Sequence, residues 1–531
     1  MRKVVDFLRR CFDWKFGAGT AILARWVFLR ALALIYFSAF FSLLFQIKGL
    51  IGPQGVLPVE GYLRAITRYY GSTCYWHAPS LFWFSSTSTM MTAVTGCGIA
   101  ASLLAFVNLW PRITFFVCFA CFLSFVSAAG DFSSYQSDGM LLEAGFLSLF
   151  FAPPGFWPGI AAHRPPSWAS LWLLRWEWFR IYFESGLVKE LSGDPQWRNF
   201  TAMDEYYQNG PLPTWIGWYV QHLPDWFHFT SAVLTLVMEL VIVFLLFFPR
   251  RIRLICFCIV TPWEIGVILT GNYAFLNYLV LALGFLLVDD VYLQRVSPAR
   301  LRPARFRPVL QASEPPSAAA AHPIRTAFHA ASVAFSAFFL VWIGYATTAE
   351  MVDLVVPRTL PLAPATALDP FRIANQYGLF AVMTRGRYEI EFQGSNDGQN
   401  WQPYLFRYKP QLLNEAPRIY APYQPRFDWN LWFASLGDWQ QNDIVPVTET
   451  RLLTNDGDVL ALFRSSPFGS TTPRFVRAVL YQYWFTTLDE KRRTGDWWRR
   501  KFLGVYAPAI ERTADGHYRM VAPPDDLPPH D

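Results

Sequence analysis

The residues of this chain best placed to do chemistry are charged groups inside apolar helices. In "WLLRWEWFRIYFESGLVKE" (172–190), Glu177, Arg180 and Glu184 fall at i, i+3 and i+7, on one helical face where opposite charges can pair. Lys189 and Glu190 close the same stretch, and Glu143, Glu239 and Glu264 stand inside three other apolar stretches. Ionisable groups at such depth face a bundle interior or a wet cavity, and each is a functional candidate by default. Their other use is to tie helices together by hydrogen bonds. Four stretches contributing at once point to a polar cavity. Lys189 beside such a cavity is a candidate general base, and Glu190 and Asp194 are acidic neighbours it could pair with instead.

Other chemistries find little support. Seven cysteines are present, and "CFAC" (118–121) has redox spacing, but it lies within an apolar run without the electropositive, exposed surroundings that activate a thiol. Packing cysteines are the better reading. No zinc spacing, phosphate-cradling glycine loop or Gly-x-Ser-x-Gly elbow occurs, so no metal and no cofactor is expected. The net charge of +6 is accounted for by basic loops, which argues against nucleic acid as a partner.

The elements that must position these residues are membrane helices. With 531 residues, 53% hydrophobic and only 16% charged, the chain lies outside the soluble norm. A span needs roughly 17–25 mostly apolar residues. By that test about nine are expected, at 26–46, 89–109, 113–129, 139–152, 168–187, 229–248, 252–270, 273–288 and 327–345. The fourth is short and contains Glu143, so it is buried, tilted or re-entrant. Lys and Arg concentrate before the first span, between spans two and three and six and seven, and at 295–325. Such loops face the cytoplasm. The N-terminus is then cytoplasmic and the region beyond about residue 350 lies across the membrane, periplasmic or lumenal. The first apolar run is long and no small-x-small site follows, so it reads as a retained anchor. The division expected is a multi-span domain, 1–349, containing a polar loop at 186–228 and a basic linker at 289–326, followed by a β-rich domain, 350–531. The linker is basic enough to lie against anionic headgroups, so membrane lipid is an expected partner.

Within the polar loop, "GDP" (193–195) ends the fifth helix because proline cannot continue the ladder. Trp197, Trp215 and Trp218, with Tyr206 and Tyr207, suit a segment at the membrane interface. "NGPLP" (209–213) supplies a rigid turn through Pro211 and Pro213. The loop is expected to cap the bundle mouth, with Lys189 directed at whatever enters.

In the C-terminal region, "RYEIEFQGSNDGQNWQPYLFRY" alternates on both sides of "SNDGQNW", a hairpin with Asp397–Gly398 at its turn, flanked by Asn396 and Trp401. That turn is similar to the ligand-binding loops of discoidin-like sandwiches, and a β-sandwich is a possible outcome. "RFVRAVLYQYWFTT" (474–487) is a second strand pattern, and "GDWWRRKFLGVY" (495–506) pairs Trp with Arg as interfaces do.

Several motifs occur in one order: Gly186, Leu187 and Lys189; Gly193–Asp194; Trp197–Arg198; "TAMD" (201–204) ending at Asp204; "PLP" (211–213); "GNYAFLN" (271–277); "VDD" (288–290); "NQYGLFAVMT" (375–384); "FRYKP" (406–410); and "APYQPRFDWNLWFASL" (421–436). Together they resemble the lipase maturation factor family. The resemblance implies a multi-pass protein of the endoplasmic reticulum membrane, or of the inner membrane in a bacterium, that helps a secreted lipase reach its active fold. It departs from the family at 206–209, where Tyr-Tyr-Gln-Asn replaces His-Tyr-Glu-Thr. The same membrane stretch is similar, more faintly, to vitamin K-dependent carboxylases. That implies an alternative: a membrane enzyme using Lys189 as base on a lipid or quinone-like substrate.

Overall fold

The computed structural model describes residues 7, 9–161, 164–296 and 323–528. A helical N-terminal region precedes a strand-containing C-terminal one. Nine helices correspond in place to the nine expected runs: α1 (Ile22–Leu44), α2 (Ser88–Phe106), α3 (Pro111–Val126), α4 (Gln136–Phe151), α5 (Trp168–Leu191), α6 (Asp225–Leu240), α7 (Arg250–Thr270), α8 (Leu276–Gly284) and α9 (Pro323–Val355). Among the described residues, five are long and apolar enough to cross a membrane: α1, α2, α7, Ala327–Val355 within α9, and Asp225–Phe247, which joins α6 to a 3-10 extension. By length and composition, five of the nine are therefore candidate spans. The remaining four fail for stated physical reasons. Helices α3, α4 and α8 are short, at 16, 16 and 9 residues, and α5 carries Arg175, Glu177, Arg180, Glu184, Lys189 and Glu190. The basic linker expected at 289–326 begins with a helix, Asp290–Val296, and its residues 297–322 lie outside the described residues.

Helix ends follow local chemistry. Ser167 caps α5 by accepting from Ser170 N, and Thr87 caps α2 through Met90 N. Close helix contacts use small residues: a Cβ on Gly145 would collide with Tyr36 Oη, which donates to Leu141 O at 3.0 Å. Tyr36 stacks on Phe40, and Phe122 meets Phe40 and Phe275 edge to face, in the core between α1, α3 and the start of α8.

The C-terminal region is built on a five-stranded antiparallel sheet in the order β2-β1-β5-β6-β7, with β1 Arg387–Ser395, β2 Gln402–Pro403, β5 Phe475–Phe485, β6 Trp498–Arg512 and β7 Tyr518–Ala522. The expected hairpin is present, pairing Gln393 with Pro403. A two-stranded sheet, β3 (Leu405–Phe406) with β4 (Phe463–Ser465), packs Phe406 and Phe463 against Phe392 of β1. Three helices, α10 (Arg426–Ala434), α11 (Ile444–Leu453) and α12 (Leu488–Thr494), interrupt what the sequence suggested would be mainly strand. Every residue of β1 is buried, including its charged ones, so the alternation read from the sequence does not separate a wet face from a dry one. Lys409 Nζ sits 2.8 Å from Glu389, and Arg387 pairs with the same carboxylate.

Candidate functional site: a charged helix face under a backbone strap

The polar face of α5 is covered by residues 375–383, the "NQYGLFAVM" motif, which runs along it as an irregular strap with a turn at Leu379–Phe380. At one end Glu143 of α4 pairs with Arg180, both fully buried, and accepts from Asn375 N (3.2 Å), Asn375 Nδ2 (3.1 Å) and Tyr377 Oη (2.9 Å). Arg180 also donates to Asn375 O. One helical turn on, Glu184 accepts from Tyr377 N at 2.7 Å and Ser185 Oγ from Leu379 N at 3.2 Å. Lys189 follows, its Nζ 2.9 and 2.8 Å from the two oxygens of Glu239 on α6, 2.9 Å from Leu379 O and 3.3 Å from Ser185 O. The indole of Trp197 lies 5.2 Å from that ammonium and donates to Phe380 O at 2.9 Å. Asp194, placed by the positive φ of Gly193 (74°), accepts from Met383 N at 2.8 Å and caps the short helix Pro195–Arg198. Backbone groups of the strap that face the bundle must find partners, and here side chains of α4, α5 and the loop after α5 supply them.

This corrects the single polar cavity expected from the sequence. Glu143, Arg180 and Glu184 are sealed under the strap. A separate cavity of about 380 Å³ lies between α5, α6, α7 and α8, roofed by Trp197, Tyr206 and Tyr207 of the polar loop and by Leu379, Phe380 and Met383 of the strap. Lys189 and Glu239 line it, as does Glu264, which accepts from Tyr182 Oη and from Asn277 Nδ2 (2.7 Å). Lys189 is committed: its three N–H donors face four acceptors.

The remaining candidates disperse. Arg198 and Asp204 are exposed at the rim, where the Asp204 carbonyl accepts from Gln221. Pro211 O accepts from Arg387 (3.1 Å) and Pro213 O from Asn272 (3.3 Å), which also binds Arg418 O, Tyr420 N and Ala421 N. The departing 206–209 stretch serves the same seam: Asn209 Nδ2 donates to Thr384 O at 2.9 Å and Gln208 Oε1 accepts from Phe485 N at 3.1 Å. Asn396, Asp397, Gly398 and Trp401 form the hairpin turn away from the helices. Asp397 accepts from Gln399 N, Asn400 N, Asn400 Nδ2 and Ser395 Oγ, which holds its carboxyl well below the usual range, and Arg477 stacks 4.1 Å over Trp401. Sequence reasoning missed Asp138 and Arg426, a fully buried bidentate pair at 2.7 and 2.7 Å that fastens α10 to α4. Their signal was present, Arg426 lying in the 421–436 motif, but nothing local names its partner.

Residues 23–295 match the lipase maturation factor transmembrane domain and residues 373–508 the lipase maturation factor C-terminal domain. The chain belongs to the lipase maturation factor family. It is 31% identical to bovine lipase maturation factor 1 over 515 residues, covering 93% of this chain and 90% of that protein. Human lipase maturation factor 2 is 30% identical over 590 residues, covering 92% and 82% respectively. No solved structure matches. The seam just described falls within the two matched ranges and on stretches singled out in the sequence: "GD" supplies Asp194, "GNYAFLN" supplies Asn272 and Asn277, and "NQYGLFAVMT" and "APYQPRFDWNLWFASL" supply the strap and Arg426.

Proposed function

We propose that this family member is a multi-pass membrane maturation factor for secreted lipases, and that the charged face of α5 holds the C-terminal region against the bundle so that the two work as one platform for the folding client. The observation that carries the second part is the strap: from Glu143 to Asp194, the acids and the lysine of the helical region bind main-chain atoms of 375–383. The client assignment follows the names of the relatives. As a base, Lys189 would need a lone pair facing the cavity, whereas its ammonium is engaged by Glu239, Leu379 O and Ser185 O; this supports a clamp.

The topology belongs to the same proposal. Nine spans put the N-terminus in the cytoplasm and 350–531 across the membrane, lumenal in an endoplasmic reticulum or periplasmic in a bacterium, with the domain boundary at 349/350. The packing of Phe406 and Phe463 on Phe392 supports a small sandwich within that domain. Residues Glu143, Arg180, Glu184, Lys189, Asp194 and Trp197 form the clamp in this reading, and Pro211 and Pro213 the turn beneath Arg387. Single cysteines at positions 310 and 399, in a background free of native cysteines, test the topology: the first should label from the cytoplasm and the second from the other side, and labelling of both from one side contradicts it. Function is tested by expressing a secreted lipase in a deletion host. Active lipase per unit of lipase protein should rise when this chain is supplied, and no rise contradicts the proposal.

A further inference from the structure

A second cavity, of about 530 Å³, lies at the opposite end of α5, where α1, α3, α5 and α9 begin and α4 ends. Three arginines line it: Arg25, Arg112 and Arg164. Arg25 is 2% exposed and gives its Nη groups to the carbonyls of Arg164 (2.8 Å), Ile160 (3.1 Å) and Ala161 (3.2 Å). Arg112 uses Nε on Ala152 O at 2.8 Å. Arg164 lies over the Trp14 ring at 5.7 Å. Among the described residues none of the three forms an ion pair, and no acid lines the cavity. The nearby acids are occupied: Asp13 faces His329 at 3.0 Å, and Asp290 caps the first turn of α1. Three like charges in one partly enclosed space repel one another unless an anion joins them.

The walls define the rest of the occupant. Phe150, Phe151, Phe328 and Val333 give the cavity an apolar side, and Ser332 and Ser336 of α9 add hydroxyls. Phe335 and Phe338, 60% and 58% exposed, continue outward along α9. In the topology proposed above, on which this inference rests, the arginines stand at helix starts and ends on the cytoplasmic side, where arginine-rich pockets between membrane helices suit anionic headgroups. We propose that this cavity binds an anionic phospholipid, its phosphate held by Arg25, Arg112 and Arg164 and an acyl chain laid along Phe150 and the outer face of α9. The site is distinct from the clamp.

The test is native mass spectrometry of the full chain purified in detergent and titrated with phosphatidylglycerol, or with phosphatidylcholine of identical chains. One phosphatidylglycerol should be retained at roughly tenfold lower concentration than phosphatidylcholine. Arg112→Gln with Arg164→Gln should remove that preference; Arg25 is left alone because it holds three carbonyls. Sodium phosphate at 10 mM should leave the lipid adduct in place, which separates a lipid from a free phosphate as occupant. Equal retention of the two lipids, an adduct unchanged in the double variant, or displacement by phosphate alone would each overturn the proposal. Should the double variant fail to fold, the comparison of the two lipids on the unaltered chain decides.

Discussion

The two ends of α5 are both rich in charge and use it differently. At the first end, apart from the arginine-lined cavity, charged groups find their partners within the bundle: Asp290 takes the N–H groups of Ile22, Leu23 and Ala24, Arg175 donates to Leu286 O, Arg253 pairs with Asp289, and Arg25 holds the turn before α5. At the second end nearly every charge reaches into the C-terminal region: Asp138 to Arg426, Arg180 to Asn375, Glu184 to Tyr377, Lys189 to Leu379 and Asp194 to Met383. The same residue types close a helical bundle at one end and recruit a second region at the other. What differs is the region that holds the partner: the helical bundle at the first end, residues 375–436 at the second.

The largest effect should come from the buried pair. Arg426→Met leaves Asp138 and Phe132 O without their donors in a site of zero exposure, and breaking such a pair costs about 3–5 kcal/mol. Protein recovered from membranes should fall severely, and Asp138→Leu added to Arg426→Met should restore part of it, as read by immunoblot and thermal unfolding in detergent. If Arg426→Met were tolerated alone, the second end would not be a fastening.

That pair also marks the limit of what the sequence conveys. Apolar runs placed all nine helices, and alternation around Asp397–Gly398 placed the β1–β2 hairpin, because both signals are local. Asp138 and Arg426 lie 288 positions apart, and no period or spacing links them. Helix α10 was hidden for a related reason: "RFDWNLWFA" is buried on most of its circumference, so it shows neither a helical stripe nor strand alternation. Glu143, Arg180 and Glu184 were legible as a charged face, but the covering strap pairs through its main chain, which carries no side-chain signature. Asn375 and Tyr377 alone add side-chain contacts to Glu143.

Next in size is Lys189→Met, which strips the donor from Glu239 and from two carbonyls and should cost about 3 kcal/mol. Lys189→Arg keeps a cation that can fork onto Glu239 but crowds the cage, so a loss of about 1 kcal/mol with lipase maturation retained is expected. Equal and complete loss of activity in both, at normal membrane levels, would restore a base at this position.

At the self-contained end, Asp290→Ala removes one cap from three N–H groups and should cost about 1–2 kcal/mol without altering the docking of the C-terminal region. Limited proteolysis reads this: the C-terminal region should stay protected in Asp290→Ala and open in Arg426→Met.

The smallest effect is a pH dependence within the C-terminal region. Burial pushes the Asp428 carboxyl up to about 6, although Lys409 N and Tyr408 N donate to it. The unfolded carboxyl titrates near about 3.9, so between these values the folded state binds more protons than the unfolded one and stability falls as pH rises. Relative to Asp428→Asn, the unaltered chain should lose melting temperature from pH 4 to pH 6 and then run parallel. A difference that grows in the opposite direction would mean that the donors, and not burial, dominate.

The clamp itself is tested most directly by removing both of its charges at once. Lys189→Met with Glu239→Leu leaves no buried ion unpaired, so the double variant should recover membrane level relative to Lys189→Met alone and mature secreted lipase with wild-type activity per unit of membrane protein. A double variant present at the wild-type level, with its C-terminal region still protected from protease by the other tethers of the strap, that yields no active lipase would contradict the account, because Lys189 would then be doing something that holding the strap does not explain.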